Sequence, residues 1–313
     1  MATVYYVIPC YNEQEVLPSS ARKLLDKLRE QITAGLAGPQ SRLLFVDDGS
    51  RDETWSLIRG LCEQEPLCSG LKLAHNRGHQ NALLAGLMTA RERADCTISI
   101  DADLQDDLAA TDEFLKKFAE GYEIVYGVRN SRQTDSSFKR TTARGFYTVM
   151  RLLGTEVVYD HADFRLMSRR ALDALSEYRE TNLFLRGIVP TIGLRSTSVL
   201  YDRLPRTAGE SKYPLRKMLS FAADGITSFS VKPLKLISGL GLLVFFGSLI
   251  ALLCALIACW AGSDVSGWTF ACCSLWLLGG IQLLCLGIIG QYLGKVFGEV
   301  KDRPRYFVEE FLE

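Results

Sequence analysis

Cys96-Thr97-Ile98-Ser99-Ile100-Asp101-Ala102-Asp103-Leu104-Gln105-Asp106-Asp107 passes from an apolar run into an acidic one. The first half reads as a buried strand over Cys96–Asp101, short and rich in β-branched residues. The second half places Asp101 and Asp103 one residue apart at the strand's carboxyl end. In a continuing strand the two side chains share a face. Carboxylates bind hard divalent cations, and such cations neutralise diphosphates. Gln105 adds a carbonyl. The stretch therefore predicts a metal site of Asp101, Asp103 and Gln105 for Mg²⁺ or Mn²⁺, because oxygen ligands suit both.

The same strand-then-turn pattern repeats upstream. Strand-like runs fall at Thr3–Pro9, Arg42–Asp47, Gly70–Ala74 and, downstream, Glu123–Val128. Between them, helical periodicity runs over Glu15–Ile32, with Leu17, Ala21, Leu24, Leu25, Leu28 and Ile32 on one face. Further helices are expected at Thr54–Gln64, Gln80–Arg93 and Asp112–Glu120. This βαβα order predicts an α/β domain with a mostly parallel sheet covered by helices on both faces. Ligands of such sheets bind beyond the carboxyl ends of the strands. The polar clusters sit there: Pro9–Glu13, Asp47–Ser50, Asn76–Gly78 and Asp101–Gln105. Asp47 and Asp48 are placed to accept hydrogen bonds from ribose hydroxyls or a base N–H. A capped turn, with Gly49 at positive φ and Ser50 or Asp52 as cap, fits the same residues. In Pro9-Cys10-Tyr11-Asn12-Glu13, Asn12 is a candidate helix cap, Tyr11 a base-stacking ring and Glu13 a nucleoside contact.

Composition narrows the function classes. The chain has 313 residues, with 36 basic and 36 acidic side chains. That balance leaves no global footprint for nucleic acid. The nine cysteines show no C-x-x-C pairing and read as reduced thiols of a cytosol-facing protein. Val4-Tyr5-Tyr6-Val7-Ile8 begins a strand at once, without a secretory signal pattern, so the first part is expected to stay in the cytoplasm. Arg129, Arg132, Lys139, Arg140, Arg144 and Arg151 form a basic run interrupted by Asp135. Arginine suits forked phosphate contacts, and Arg129 and Arg144 are the candidate ligands of an acceptor phosphate. Asn130–Ser137 is polar and is read as a lid.

The C-terminal part changes character. No residue is charged from Leu236 to Ser263, or from Val265 to Gly294. A bilayer-spanning helix needs about 20 apolar residues, so the two runs predict a transmembrane hairpin turning at Asp264. Lys232 and Lys235 precede it; Lys295, Lys301, Arg303 and Arg305 follow it; the turn has no basic residue. The positive-inside rule then places both termini in the cytoplasm. Leu215, Met218, Leu219, Ala222, Ile226 and Phe229 recur at helical spacing, an amphipathic segment expected to lie in the interface. The expected division is a catalytic domain over 1–212, a juxtamembrane segment over 213–233, two spans over 234–295 and a tail over 296–313. Gly239, Gly241, Gly247, Gly279 and Gly280 permit close helix approach and allow a homo-oligomer, with a tetramer among the options.

In order, P-C-Y-N-E, V-D-D-G-S-R-D, N-R-G-H-Q-N-A and D-A-D-L-Q-D resemble the motifs of family 2 glycosyltransferases of the GT-A fold. More narrowly, the chain resembles polyprenyl-phosphate glycosyltransferases, the group of bactoprenol glucosyltransferases and dolichol-phosphate mannose synthases. The resemblance covers essentially the whole chain, hairpin included. It implies a Rossmann-like GT-A catalytic domain. It also implies nucleotide-sugar contacts at Pro9, Tyr11, Glu13, Asp47, Asp48, Asn76, Asp101 and Ala102. Asp163, in Ala162-Asp163-Phe164-Arg165-Leu166, matches the catalytic acidic position, with an ion pair to Arg165 or a structural cap as the alternative. Arg206, Ser211 and Lys212 match a phosphate-contacting loop. Asp107 stands where the pattern usually has proline, and His161 where a small or polar residue is common. The implied activity is inverting transfer of one hexose to undecaprenyl phosphate at the cytoplasmic face of a bacterial inner membrane, with UDP-glucose the preferred donor. Mannose, galactose or an amino sugar, or a non-catalytic subunit that binds nucleotide sugar, are the alternatives. The Q-x-x-R-W motif of processive synthases is absent.

Overall fold

The computed structural model describes residues 1–129, 161–180, 185–202, 267–301 and 303–313. The chain divides into two units. One draws on Met1–Tyr147, Glu156–Tyr213 and Arg303–Glu313; the other on Thr148–Thr155 and Pro214–Asp302.

The first unit is built on an eight-stranded sheet. Its elements in chain order are β1 (Val4–Cys10), α1 (Leu17–Thr33), β2 (Arg42–Asp47), α2 (Thr54–Gln64), β3 (Cys68–Leu73), α3 (His79–Arg91), β4 (Cys96–Ser99), α4 (Ala110–Ala119), β5 (Ile124–Arg129), β6 (His161–Ser168), α5 (Arg169–Ser176), α6 (Leu185–Thr191) and β7 (Ser196–Tyr201). β8 (Val308–Leu312) comes from the C-terminal tail. The spatial order is β7-β5-β6-β4-β1-β2-β3-β8. β1 pairs in parallel with β2 and β4, β2 with β3, and β5 with β7. β6 is antiparallel to both β4 and β5, and β8 is antiparallel to β3. The sheet is thus mostly parallel, as the βαβα order predicts.

Burial explains the central strands. Every residue of β1 is buried, the signature of a strand covered on both faces. α1 buries Leu17, Ala21, Leu24, Leu25 and Leu28, each leucine contributing about 1.5–3 kcal/mol relative to exposure. α3 lies so close to the sheet that a Cβ on Gly86 would collide with Val7 and come within 2.7 Å of Val46 Cγ2. Only hydrogen fits there. Between helices, a buried polar bridge fixes α1 against α4. The Tyr6 hydroxyl donates to Gln31 Oε1 at 2.7 Å, and Gln31 Nε2 donates to Thr111 Oγ1 at 2.9 Å and Asp112 Oδ1 at 2.8 Å.

Three strands escape the simple pattern. β6 enters between β4 and β5, so those two strands are not neighbours. β7 lies beside β5. The tail strand β8 covers the β3 edge, where Ala74 N–H also donates to Phe307 O at 3.0 Å. Lys72 pairs with Glu309 at 3.1 Å and Arg59 with Glu310 at 2.8 Å.

In the second unit, α7 (Gly267–Val300) is one helix of 34 residues, about 50 Å long at 1.5 Å per residue. It follows the second uncharged stretch of the sequence, and Leu275, Leu286, Leu293 and Phe297 are exposed on it. Among the described residues, no helix is long and apolar enough to cross a membrane. The expected hairpin is therefore not found among them. Its first arm over 236–263 and the amphipathic segment over 213–230 lie outside the described residues.

Candidate active site at the carboxyl ends of the strands

The β1–α1 and β2–α2 loops are stapled to each other. Asn12, at φ +53°, does not cap α1. Its Oδ1 accepts Arg51 N–H at 2.9 Å, and its own N–H donates to Ser50 Oγ at 3.0 Å. Glu13 N–H donates to Thr54 Oγ1 at 2.9 Å. Asp52 accepts Thr54 N–H at 3.1 Å just ahead of α2, whose N-cap residue is Glu53 without a side-chain cap bond. Pro9 and Tyr11 mark the end of β1 and the start of its loop, and Tyr11 is 40% exposed, which leaves its ring available.

Asp47 and Asp48 are buried and engaged by backbone. Both Asp47 oxygens lie 3.3 Å from Ser50 N–H. Asp48 accepts Arg77 N–H at 2.7 Å and Gly78 N–H at 2.9 Å, tying down the Asn76–Gly78 loop. Burial raises both carboxyls; the Ser50 contacts and Lys72 pull Asp47 back, and the Arg77 and Gly78 amides pull Asp48 back. Gly49 sits at φ +63°, and a Cβ on it would meet Asn76 N at 2.6 Å. Glycine is required there for both reasons.

The acidic loop differs from the sequence expectation in one respect. β4 ends at Ser99, two residues before Asp101. Strand alternation therefore does not set Asp101 against Asp103. The loop is instead a tight turn: Leu104, at φ +46°, donates its N–H to Asp101 O at 3.2 Å, and Asp103 Oδ1 accepts Gln105 N–H at 3.3 Å. Asp101 keeps about half of its side-chain exposure, 49%, whereas Ala102, Gln105 and Asp106 are buried. Its crowded setting and the charges of Asp163, Asp106 and Asp103 push Asp101 up to about 6, against the pull of His79.

Among the described residues, no group of three or more Asp, Glu, His or Cys side chains is arranged to hold an ion. Two carboxylates nevertheless fit Mg²⁺ or Mn²⁺ presented with a diphosphate, because such ions take one or two protein carboxylates and complete their shell with phosphate oxygens and water. The like charges crowding Asp101 are the feature a cation relieves.

Beside this loop, Asp163 on β6 is buried at 6% exposure and surrounded by donors. Arg165 Nη2 lies 2.7 Å from Oδ1, and Arg186 Nη2 lies 3.0 Å from Oδ2. Gln80 Nε2 donates to Oδ2 at 3.2 Å. Burial opposes ionisation, but Arg186, His79 and Arg165 outweigh it and hold Asp163 well below the usual carboxylate range. The pairing with Arg165 is the ion pair given above as the alternative role for Asp163. His79 Nε2 stands 3.7 Å from Asp101 Oδ1 and 3.5 Å from Asp163 Oδ2. Burial works against its charged form, yet the two carboxylates raise its pKa, with Arg186 opposing.

Arg129, at the end of β5, lies 3.7 Å from Asp106 Oδ1 and donates from Nε to the Tyr201 hydroxyl at 3.3 Å. Arg144, Arg206, Ser211 and Lys212 lie outside the described residues. His79, Gln80, Arg186 and Tyr201 join the site without having been assigned a role from sequence. His79 and Gln80 start a helix after a buried strand, a position that points to them. Arg186 and Tyr201 carry no local signal.

The model of the family described as glycosyl transferase family 2 matches residues 5–176, which span β1 to α5 and hence every carboxylate above. The chain belongs to glycosyl transferase family 2. An uncharacterized glycosyltransferase, YkoT, of Bacillus subtilis (strain 168) is 53% identical over 97% of this chain and 90% of its own length. The SfII prophage-derived bactoprenol glucosyl transferase of Shigella flexneri is 35% identical over 97% of this chain and 96% of its own length. Among solved structures, the glucosyl-3-phosphoglycerate synthase of Mycobacterium tuberculosis in complex with phosphoglyceric acid is 17% identical, covers 73% of this chain and 79% of its own, and gives a TM-score of 0.49. As a family 2 glycosyltransferase, the chain carries its acidic loop and Asp163 at one end of a mixed, mostly parallel sheet.

Proposed function

We propose that this glycosyltransferase moves one glucose from UDP-glucose to a polyprenyl phosphate, undecaprenyl phosphate by preference, with inversion at the anomeric carbon. The observation that carries the reading is the meeting, at one sheet end, of an acidic loop, Asp101 to Asp106, with Arg129, beside an Asp163 that is paired with Arg165 and Arg186. Such a pairing of signs suits a reaction that parts one phosphate ester from a sugar and joins the sugar to another. The full-length similarity to a protein named bactoprenol glucosyl transferase supports the choice of acceptor and sugar.

The donor nucleoside lies across Pro9, Tyr11, Glu13, Asp47, Asp48 and Asn76, with Ala102 against it. When bound, Mg²⁺ or Mn²⁺ is held by Asp101 and Asp103 with Gln105 and neutralises the departing diphosphate. The acceptor phosphate monoester has a second pKa of about 6 and is largely ionised at neutral pH. It needs little help in losing a proton. Asp163, held ionised between two arginines, is suited to aim Arg186 and His79 rather than to take up a proton. Arg129 and Arg144 seat the acceptor phosphate, with Arg206, Ser211 and Lys212 close to it in role. The two uncharged stretches anchor the enzyme as a hairpin in a bacterial inner membrane, with the catalytic domain and both termini on the cytoplasmic side.

The test is a donor panel. Detergent-solubilised enzyme is given radiolabelled UDP-glucose, UDP-galactose, UDP-N-acetylglucosamine or GDP-mannose with a short polyprenyl phosphate, and the organic phase is counted. Label from UDP-glucose should dominate by at least tenfold. Label from another donor alone would replace the sugar, and no lipid label from any donor would end the reading.

A further inference from the structure

Arg129 does not stand alone at the end of β5. Its register partner on the parallel neighbour β7 is Tyr201, a tyrosine only 4% exposed. The Tyr201 hydroxyl donates to Asp106 Oδ1 at 2.5 Å and accepts from Arg129 Nε at 3.3 Å. One oxygen thus joins two strands to the acidic loop. Burial and the Asp106 carboxylate push the phenol up, so it remains protonated and keeps donating.

The ring is placed with equal care. It meets Phe164 edge-on, with centroids 5.1 Å apart, and Phe164 in turn packs on Phe114 at 4.7 Å. Room for this stack comes from Gly127. A Cβ there would lie 2.7 Å from Phe164 Cδ1 and 3.1 Å from Tyr201 Cε1. The ring therefore serves packing, whereas the hydroxyl serves the two charged groups. Arg129 retains 30% of its side-chain exposure, so it is held without being fully buried.

We propose that Tyr201 is a positioning residue whose hydroxyl buckles Asp106 of the acidic loop to Arg129 and so aims the Arg129 guanidinium at the acceptor phosphate. The proposal rests on the polyprenyl-phosphate reading above and adds a residue to it. Loss of the hydroxyl removes the Arg129 Nε contact and leaves Arg129, among the described residues, only its 3.7 Å pair with Asp106, while the nucleoside end of the donor site, at Pro9 to Glu13 and Asp47 to Asp48, lies on other strand ends.

The experiment uses the full chain in detergent. Tyr201→Phe keeps the ring stack and removes the buckle. Its KM for a short polyprenyl phosphate should rise at least fivefold, with the KM for UDP-glucose within twofold of the parent. Calorimetric binding of the same lipid in EDTA, without turnover, should weaken at least fivefold. Arg129→Lys should weaken lipid binding in the parent but add less than twofold in Tyr201→Phe. A fall in kcat with both KM values unchanged, or a full multiplication of the two variants' effects, would overturn the proposal. If Tyr201→Phe fails to give a monodisperse protein, Asp106→Asn must weaken lipid binding at least threefold, and unchanged binding would overturn it equally. A parent that transfers sugar but binds lipid no better than Tyr201→Phe defeats this inference alone; a parent with no lipid transfer defeats the functional reading beneath it.

Discussion

Asp101 and Asp163 flank the same imidazole, at 3.7 and 3.5 Å from His79 Nε2, yet their acidities move in opposite directions. Asp101 opens a loop shared with other carboxylates, and burial and those charges raise it to about 6. Asp163 sits on a strand between Arg165 and Arg186 and falls well below the ordinary range. The difference lies in the company each keeps. One carboxylate is short of positive charge until a cation arrives; the other already has more than it can neutralise. Carboxylates whose environments push them apart divide the labour of a site; on the proposed reading the division is between holding a cation and holding cationic side chains.

The largest effect should come from emptying the second environment. Asp163→Asn leaves Arg165, at 1% side-chain exposure, buried without its counter-charge, which costs about 3–5 kcal/mol in comparable cases. Thermal unfolding followed by intrinsic fluorescence should show a drop of several degrees, together with loss of transfer of at least 100-fold. An unchanged melting temperature would mean that Arg165 finds charge elsewhere.

Asp101→Asn should invert that balance. Transfer should fall about 100-fold, as expected when one charge-stabilising group is lost, while the metal-free protein melts no lower than the parent because a crowded charge has gone.

The pH dependence sharpens the same contrast. A carboxyl raised in the folded state binds more protons there than in the unfolded chain, so its contribution to stability falls as pH rises from about 4, its unfolded value, to about 6. In EDTA, the Asp101→Asn protein should therefore lose less stability than the parent over this window. Asp163 works with the opposite sign: its contribution is present above about 4 and is lost only as acid protonates it.

His79→Gln keeps a polar side chain between the two carboxylates but removes the imidazole whose charged form they favour. It should lower transfer about tenfold with little change in melting temperature. The smallest effect is expected far from this pair. Glu309→Gln breaks the exposed ion pair with Lys72, worth about 0–1 kcal/mol, and transfer should stay within twofold of the parent.

Much of this architecture was legible in the residues themselves. β2 and α2 fall on their expected bounds, and β1, α1, α3 and α4 within about two residues, because buried strands and one-sided helices announce themselves by pattern. β6 did not. Its residues alternate charge with apolar groups, and its place between β4 and β5 depends on pairing across a long sequence separation, which no local pattern encodes. β8 was read as part of a tail for the same reason. Within the site, the acidic loop was found from its position after a strand, but the reason for its geometry was not: the turn at Leu104, rather than pleating, shapes it. Arg186 and Tyr201 act through contacts 23 and 95 residues away, a distance over which spacing carries no information.

The most direct test of the central claim is the metal dependence of sugar transfer. Parent and Asp103→Ala are compared in the lipid-labelling assay across a titration of Mg²⁺ and Mn²⁺ after EDTA treatment. Activity in the parent should vanish in chelator and return with either ion, and Asp103→Ala should stay at least 100-fold lower at saturation. Equal labelling by the two proteins, or full activity in chelator, would contradict an acidic loop that works by holding a cation against the leaving diphosphate.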